Sequence, residues 1–170
     1  MTTPQDFDFD AWLEGADRPE RAVTVYQKAS LIADLDALEA KILAADDEED
    51  ADGPSMAGGP AKLRAEYQRL AQQFHDSALT IRVQGRDAVE KADLAKANPG
   101  VDVNELGYII LADAITSPKV TPAQLKRLAK KIGDPQFSAI TAAYHKASGE
   151  IPSVSADFLP KPSIQGDGGE

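Results

Sequence analysis

The sequence predicts a mainly α fold: a compact helical domain of five to six helices with a minor two-stranded β element, flanked by a disordered acidic N-terminal arm and a disordered C-terminal tail. Three observations predict it. Leu, Ile and aromatic residues recur at spacings of three and four in one segment after another, which buries one face of a helix. Only two short runs, 23–26 and 79–83, carry β-branched residues in a strand-like pattern. The chain ends and the run 46–60 hold acidic residues, glycine and proline in place of any apolar period.

The composition suits one domain with tails. Of 170 residues, 42% are apolar and only 6% aromatic, and the mean hydropathy is -0.34, so the core is modest and built mainly of Ala, Leu, Ile and Val. Cysteine is absent, which excludes disulfides, thiol nucleophiles and Cys-ligated metals and fits a reducing compartment. MTTPQDFDFD has neither the basic start nor the apolar run of a signal peptide, and no window is long and apolar enough for a membrane span. A soluble, cytoplasmic protein is expected. The net charge of -10 is unevenly placed: residues 1–52 hold 15 acidic and 4 basic residues, whereas 53–170 hold 13 and 14. Such an acidic arm repels nucleic-acid phosphates and favours solubility or a basic protein partner.

The elements follow in order. Residues 1–22 read as a flexible acidic arm whose few apolar residues, Phe7, Phe9, Trp12 and Leu13, cluster in FDFDAWL. Two readings of that cluster stand: it docks on a partner, or it folds back onto its own domain. A single helical domain spans 23–149, interrupted by an acidic Gly/Pro linker at 46–60. Its opening VTVY, 23–26, is a short strand. A helix from Gln27 to Ala45 follows, with Leu31, Leu35, Leu38 and Ile42 on one face. Leu63, Tyr67, Leu70 and Phe74 repeat that spacing in a helix from Ala61 to Asp76, so the two helices can pair as a hairpin.

In LTIRV, residues 79–83, Leu79, Ile81 and Val83 alternate with Thr80 and Arg82. This strand either pairs with 23–26 or leaves an open edge for another chain. Asp87 caps a helix through Ala97, and a strongly apolar helix from Asn104 through Ile115 is expected to be the most buried element. Thr121-Pro122 opens a helix that Gly133 ends, and Asp134-Pro135 repeats the cap-plus-proline device for a last helix to Gly149. Residues 150–170 read as an extended or disordered tail.

No chemical site emerges. His75 and His145, the two histidines, have no ligand-spaced His or carboxylate beside them, and GxSxG, GxGxxG and GxxxxGK[ST] patterns are missing. The expectation is therefore no enzyme, no catalytic residue, no metal and no cofactor. Lys126, Arg127, Lys130 and Lys131 form a basic helical face opposite Leu125, Leu128 and Ile132. It is either an ordinary solvated face or a surface for an acidic partner, such as the run 46–52 of the same chain. Nucleic acid fits it poorly, because no aromatic residues are interleaved for stacking. The candidate partner-binding residues are Phe7, Phe9, Trp12, Leu13, Leu79, Ile81 and Val83.

Several of these stretches, taken in order, resemble one family. RAVTVY leads into a Leu/Ala/Asp/Glu helix; DSALTIRVQGR follows an acidic linker; VTPAQLKRL and FSAITAAYHKASGE precede a Ser/Pro-rich end. Over residues 7–163 the chain resembles the tail assembly chaperones of long-tailed phages that infect actinobacteria. The resemblance implies a non-enzymatic, mainly helical protein that binds the tape measure protein and keeps it soluble before the tail tube polymerises. It implies a place in the bacterial host cytoplasm and absence from the finished virion. It also implies a longer second product made by a programmed ribosomal frameshift near the 3′ end of the gene, and Leu159-Pro160-Lys161 can be encoded CTC CCA AAG, which contains a slippery heptamer. Two other readings stand beside it: a structural virion protein, such as a small tail or head-tail joining component that self-associates through an open strand edge, and a host-side helical adaptor.

Overall fold

The two strand-patterned runs find each other. In the computed structural model, which describes residues 7–52 and 59–154 and the side chains of 7–47 and 59–154, β1 (Glu20–Tyr26) lies antiparallel to β2 (Ala78–Gln84). Val23 stands opposite Ile81 and Val25 opposite Leu79. A third strand, β3 (Ile115–Ser117), pairs with the other edge of β2 at Arg82 and Val83. Among the described residues seven helices complete the fold: α1 (Phe9–Glu14), α2 (Leu31–Asp52), α3 (Gly59–Asp76), α4 (Ala88–Ala97), α5 (Val103–Ala114), α6 (Pro122–Ile132) and α7 (Asp134–Gly149). The protein is thus mainly helical with a small three-stranded antiparallel sheet, ordered β1-β2-β3.

Caps set most helix starts. Asp87 accepts from the Glu90 amide while the Glu90 side chain accepts from the Asp87 amide, a reciprocal box that opens α4. Thr121 and Gln124 make the same box for α6, with Pro122 at its first position. Gly133 ends α6 at φ 78°, a left-handed backbone that glycine adopts without a side-chain clash.

The structure departs from the sequence expectations at several places, beginning with seven helices in place of five to six, because residues 9–14 of the arm expected to be flexible form α1. The sheet has three strands, because α5 stops at Ala114 and Ile115, expected at the end of that helix, turns into β3. Asp102 rather than Asn104 starts α5, its carboxylate accepting from the Glu105 amide. Strand β1 begins at Glu20, so residues 20–22 belong to the sheet and not to the arm. Helix α2 starts at Leu31 and continues through the acidic run to Asp52, where a linker was expected. Gly133 rather than Asp134 precedes the first residue of α7, with no side-chain cap bond. The rest of that linker, 53–58, the arm residues 1–6 and the tail residues 155–170 lie outside the described residues.

One face of the sheet carries the core. Val25, Ile81 and Val83 pack with Leu111 of α5, Ile115, Leu125 of α6, and Ile140, Ala143 and Tyr144 of α7. Helix α7 lies on β1 and β2, and it buries four residues against the three of α5, the helix expected to be most buried. Its Ala143 and Ala147 are both buried, and such small side chains let its backbone approach the strands. The opposite face of the sheet is polar and solvated, as one-sided antiparallel sheets are. There the Thr24 and Thr80 hydroxyls share a hydrogen bond of 3.3 Å.

Glu20 ties all three strands together on that face. Its carboxylate accepts from the Thr116 hydroxyl of β3 at 2.8 Å and from the Arg82 guanidinium of β2 at 2.8 Å. The Thr116 bond first, and the Arg82 bond next, hold this carboxyl below its ordinary 4.5. A lowered folded value means the ionised form favours the fold. The contribution is present above the ordinary value and is lost as pH falls through the lower folded one. Glu20→Gln is therefore expected to destabilise modestly at neutral pH, with the difference from wild type closing in acid. Urea unfolding at about pH 7 and about pH 3 checks it; a pH-independent difference would assign Glu20 no ionic role.

Helices α2 and α3 form the expected hairpin. Arg64 near the start of α3 pairs with Asp46 in the second half of α2, so the helices run antiparallel. Leu35 and Leu70 are buried between them. At the base of the hairpin the Phe74 ring stacks on Tyr26 of β1, with centroids 4.2 Å apart.

Candidate functional site

The aromatic cluster forms on a helix of its own. Asp8 caps α1 by accepting from the Ala11 amide at 3.1 Å, and Gly15 closes it after six residues. Phe7, Phe9 and Trp12 pack on one another, with the Phe9 and Trp12 rings stacked at 5.9 Å. They pack on little else: Trp12 is 55% exposed, and Phe7, Phe9 and Leu13 are exposed too. Of the two readings of FDFDAWL, folding back onto the domain does not occur in this structure. Exposed aromatic residues grouped this way mark an interaction surface more often than a structural one. Deletion of residues 1–13 is accordingly expected to leave the melting temperature nearly unaltered. A drop of several degrees in circular dichroism melting would show that the segment packs on its own domain.

The strand residues named as candidate partner contacts divide. Ile81 and Val83 are buried core residues, 2% and 0% exposed, and are not available to a partner. They sit between β1 on one side and β3 on the other, so β2 is the central strand and not an open edge. The outer edge of β1 is also partly blunted: the Gln136 side chain of α7 accepts from the Tyr26 amide at 2.6 Å and donates to the Tyr26 carbonyl at 3.1 Å. Such covering is how sheets avoid unwanted pairing. Leu79 alone of the three reaches solvent, at 41% exposure.

Leu79 is exposed because the helical cover stops short of it. Between the Val25–Leu79 end of the sheet and α6 lies a groove of about 880 Å³. Val25, Leu79, Leu128 and Ile132 give it an apolar floor, and Gln124, Arg127 and Lys131 of α6 line it beside Asp76 and Ser77. Leu125 inserts fully into the core, whereas Leu128 and Ile132, one and two turns on, are only partly covered. The sequence showed the α6 stripe but not where its cover ends, so the groove was not legible from it.

The basic face of α6 splits in the same way. Lys126 donates to Glu105 at 2.6 Å, and this hydrogen bond raises its pKa above the ordinary 10.5. Arg127 and Lys131 form no salt bridge among the described residues and line the groove. The acidic run does not serve as their partner through Asp46, which pairs with Arg64. His75 and His145 are exposed, each beside an aromatic neighbour, Phe74 and Tyr144. Among the described residues no group of three or more His, Cys, Asp or Glu side chains converges on a metal-sized site, and no helix is long and apolar enough to cross a membrane. What the arrangement offers chemically is docking: an aromatic acidic helix, an apolar groove with positive charge on one side, and a projecting hairpin. The chain matches no protein-family model, no curated protein and no solved structure.

Proposed function

We propose that this chain is a non-enzymatic tail assembly chaperone of a long-tailed phage, which binds the tape measure protein and keeps it soluble while the tail assembles. The role comes from the resemblance over residues 7–163. The structural observation that supports it is the α2–α3 hairpin. Its helices make their main contacts with each other, and α3 with its 18 residues extends about 27 Å at 1.5 Å per residue. A helical client can lie along such a hairpin as a third helix, its ridges in the groove between the two. Ile32, Asp36, Glu39 and Leu43 fall on one outward face of α2 at spacings of four, three and four, and all four are exposed. That face suits an amphipathic client helix with apolar and basic residues.

Co-expression with the tape measure protein of the same phage tests the proposal. The client is expected in the soluble fraction with the wild-type chain and in the pellet with Ile32→Asp/Leu43→Asp. Both replaced side chains are exposed, so the variant's melting curve should match wild type. A client that stays insoluble beside the wild-type chain overturns the chaperone reading. Detection of the chain by mass spectrometry of purified virions would instead identify a structural component. A slippery heptamer at codons 159–161, followed by an overlapping -1 frame, is expected in the gene.

A further inference from the structure

We infer that α1 of one copy docks into the groove between α6 and the sheet of a second copy. Each surface lacks what the other supplies. Helix α1 presents Phe9, Trp12 and Leu13 to solvent, interleaved with Asp10 and Glu14. The groove presents Leu79, Leu128 and Ile132, beside the exposed cations Arg127 and Lys131, which form no salt bridge among the described residues. Apolar anchors thus meet an apolar floor, and carboxylates meet cations that form no salt bridge among the described residues, the complementarity that steers and registers an interface. Among the described residues, Asp76 is the single acidic residue lining the groove.

The chain's own geometry directs α1 to another copy. Arg18 pairs with Glu90 at 2.6 Å and with Asp87 at 3.7 Å, which holds the chain at the start of α4. That is the Glu20 end of the sheet, where Glu20 stands opposite Gln84. The groove lies at the other end, beside Val25 and Leu79. From Glu20 to Val25 the strand covers about 17 Å, at roughly 3.3 Å per residue. Residues 13–18 would have to be fully extended merely to draw level with the groove. They are instead folded back, with the Ala16 amide donating to the Leu13 carbonyl at 3.2 Å. A second copy has no such restriction. Two copies that exchange α1 reciprocally about a two-fold axis close as a dimer, whereas one-way docking leaves a free α1 and a free groove for further copies. The inference does not rest on the tape measure reading.

The full chain carries its own probe, since Trp12 is the only tryptophan. Fluorescence and sedimentation velocity are measured together over a concentration series. Docking between copies moves Trp12 emission to shorter wavelength as the sedimentation coefficient rises, and added salt reverses both. Arg127→Glu/Lys131→Glu should raise the apparent dissociation constant at least about tenfold with no change in melting temperature. Asp10→Lys/Glu14→Lys in that background should restore association. Solvent-exposed emission from a monomer at every concentration overturns the inference. So does short-wavelength emission from a monomer independent of concentration, which would mean docking within one chain. Association insensitive to the charge reversals also overturns it, by placing the contact elsewhere.

Discussion

Ile81→Asp is expected to destabilise the protein by more than about 4 kcal/mol and to lower its melting temperature sharply. Ile81 lies on the central strand, opposite Val23, among Leu111, Ile115, Leu125 and Ile140. Losing its buried side chain removes about 2–3 kcal/mol of apolar burial. The aspartate then has no cation in that cluster, and among the described residues none that is charged is buried. It is desolvated or protonated at a further cost of a few kcal/mol. The total exceeds about 4 kcal/mol, against a whole-domain stability of roughly 5–15 kcal/mol. Leu79→Asp is the matched control. It changes the same strand and the same face two residues earlier, where 41% of the residue is exposed. Its cost is expected to stay within about 1 kcal/mol. Thermal melting followed by circular dichroism reads both, and equal melting of the two variants would refute the burial assigned to Ile81.

Gly85→Ala is expected to destabilise by about 2–3 kcal/mol, near the top of the range for overpacking. A Cβ at this position would lie 2.5 Å from the Ala147 carbonyl oxygen and 2.9 Å from the Ser148 Cα. Both are backbone atoms of α7, so no side chain can swing aside; the strand end and the helix must separate. The requirement is volume alone, because Gly85 does not have a positive φ. Gly107→Ala provides the opposite sign. A Cβ there meets nothing within 4 Å on an exposed turn of α5. Helix propensity favours alanine over glycine by about 0.8–1 kcal/mol, so this variant should be stabilised. Urea unfolding with unchanged m-values checks the pair. A stabilising Gly85→Ala would mean that α7 does not approach β2 as closely as described.

These pairs show which kind of information the sequence carries. Gly85 reads in sequence as a strand terminator, and β2 does end before it at Gln84. Its second role, as the place where α7 rests, depends on a helix some sixty residues later and has no local mark. Leu79, Ile81 and Val83 are alike in pattern, and alternation rightly puts them on one face. Their difference in exposure comes from how far α6 and α7 extend over the sheet, which periodicity does not encode. Gln136 is similar: nothing in its neighbourhood marks it as the cap of the β1 edge at Tyr26, a residue 110 positions away.

By itself the sequence determined the helical class, the caps at Asp87 and Thr121 and the stop at Gly133, while it left the partner of 79–83 open between 23–26 and another chain and allowed the α2–α3 hairpin without requiring it. Each determined feature follows from interactions within a few residues or from a hydrophobic period long enough to read. Tertiary structure alone decided the third strand, the central position of β2, the exposure of α1 and the groove beside α6. A three-residue strand shows no period. A groove is the space left where two covered faces end, and it is set by packing between elements distant in the chain.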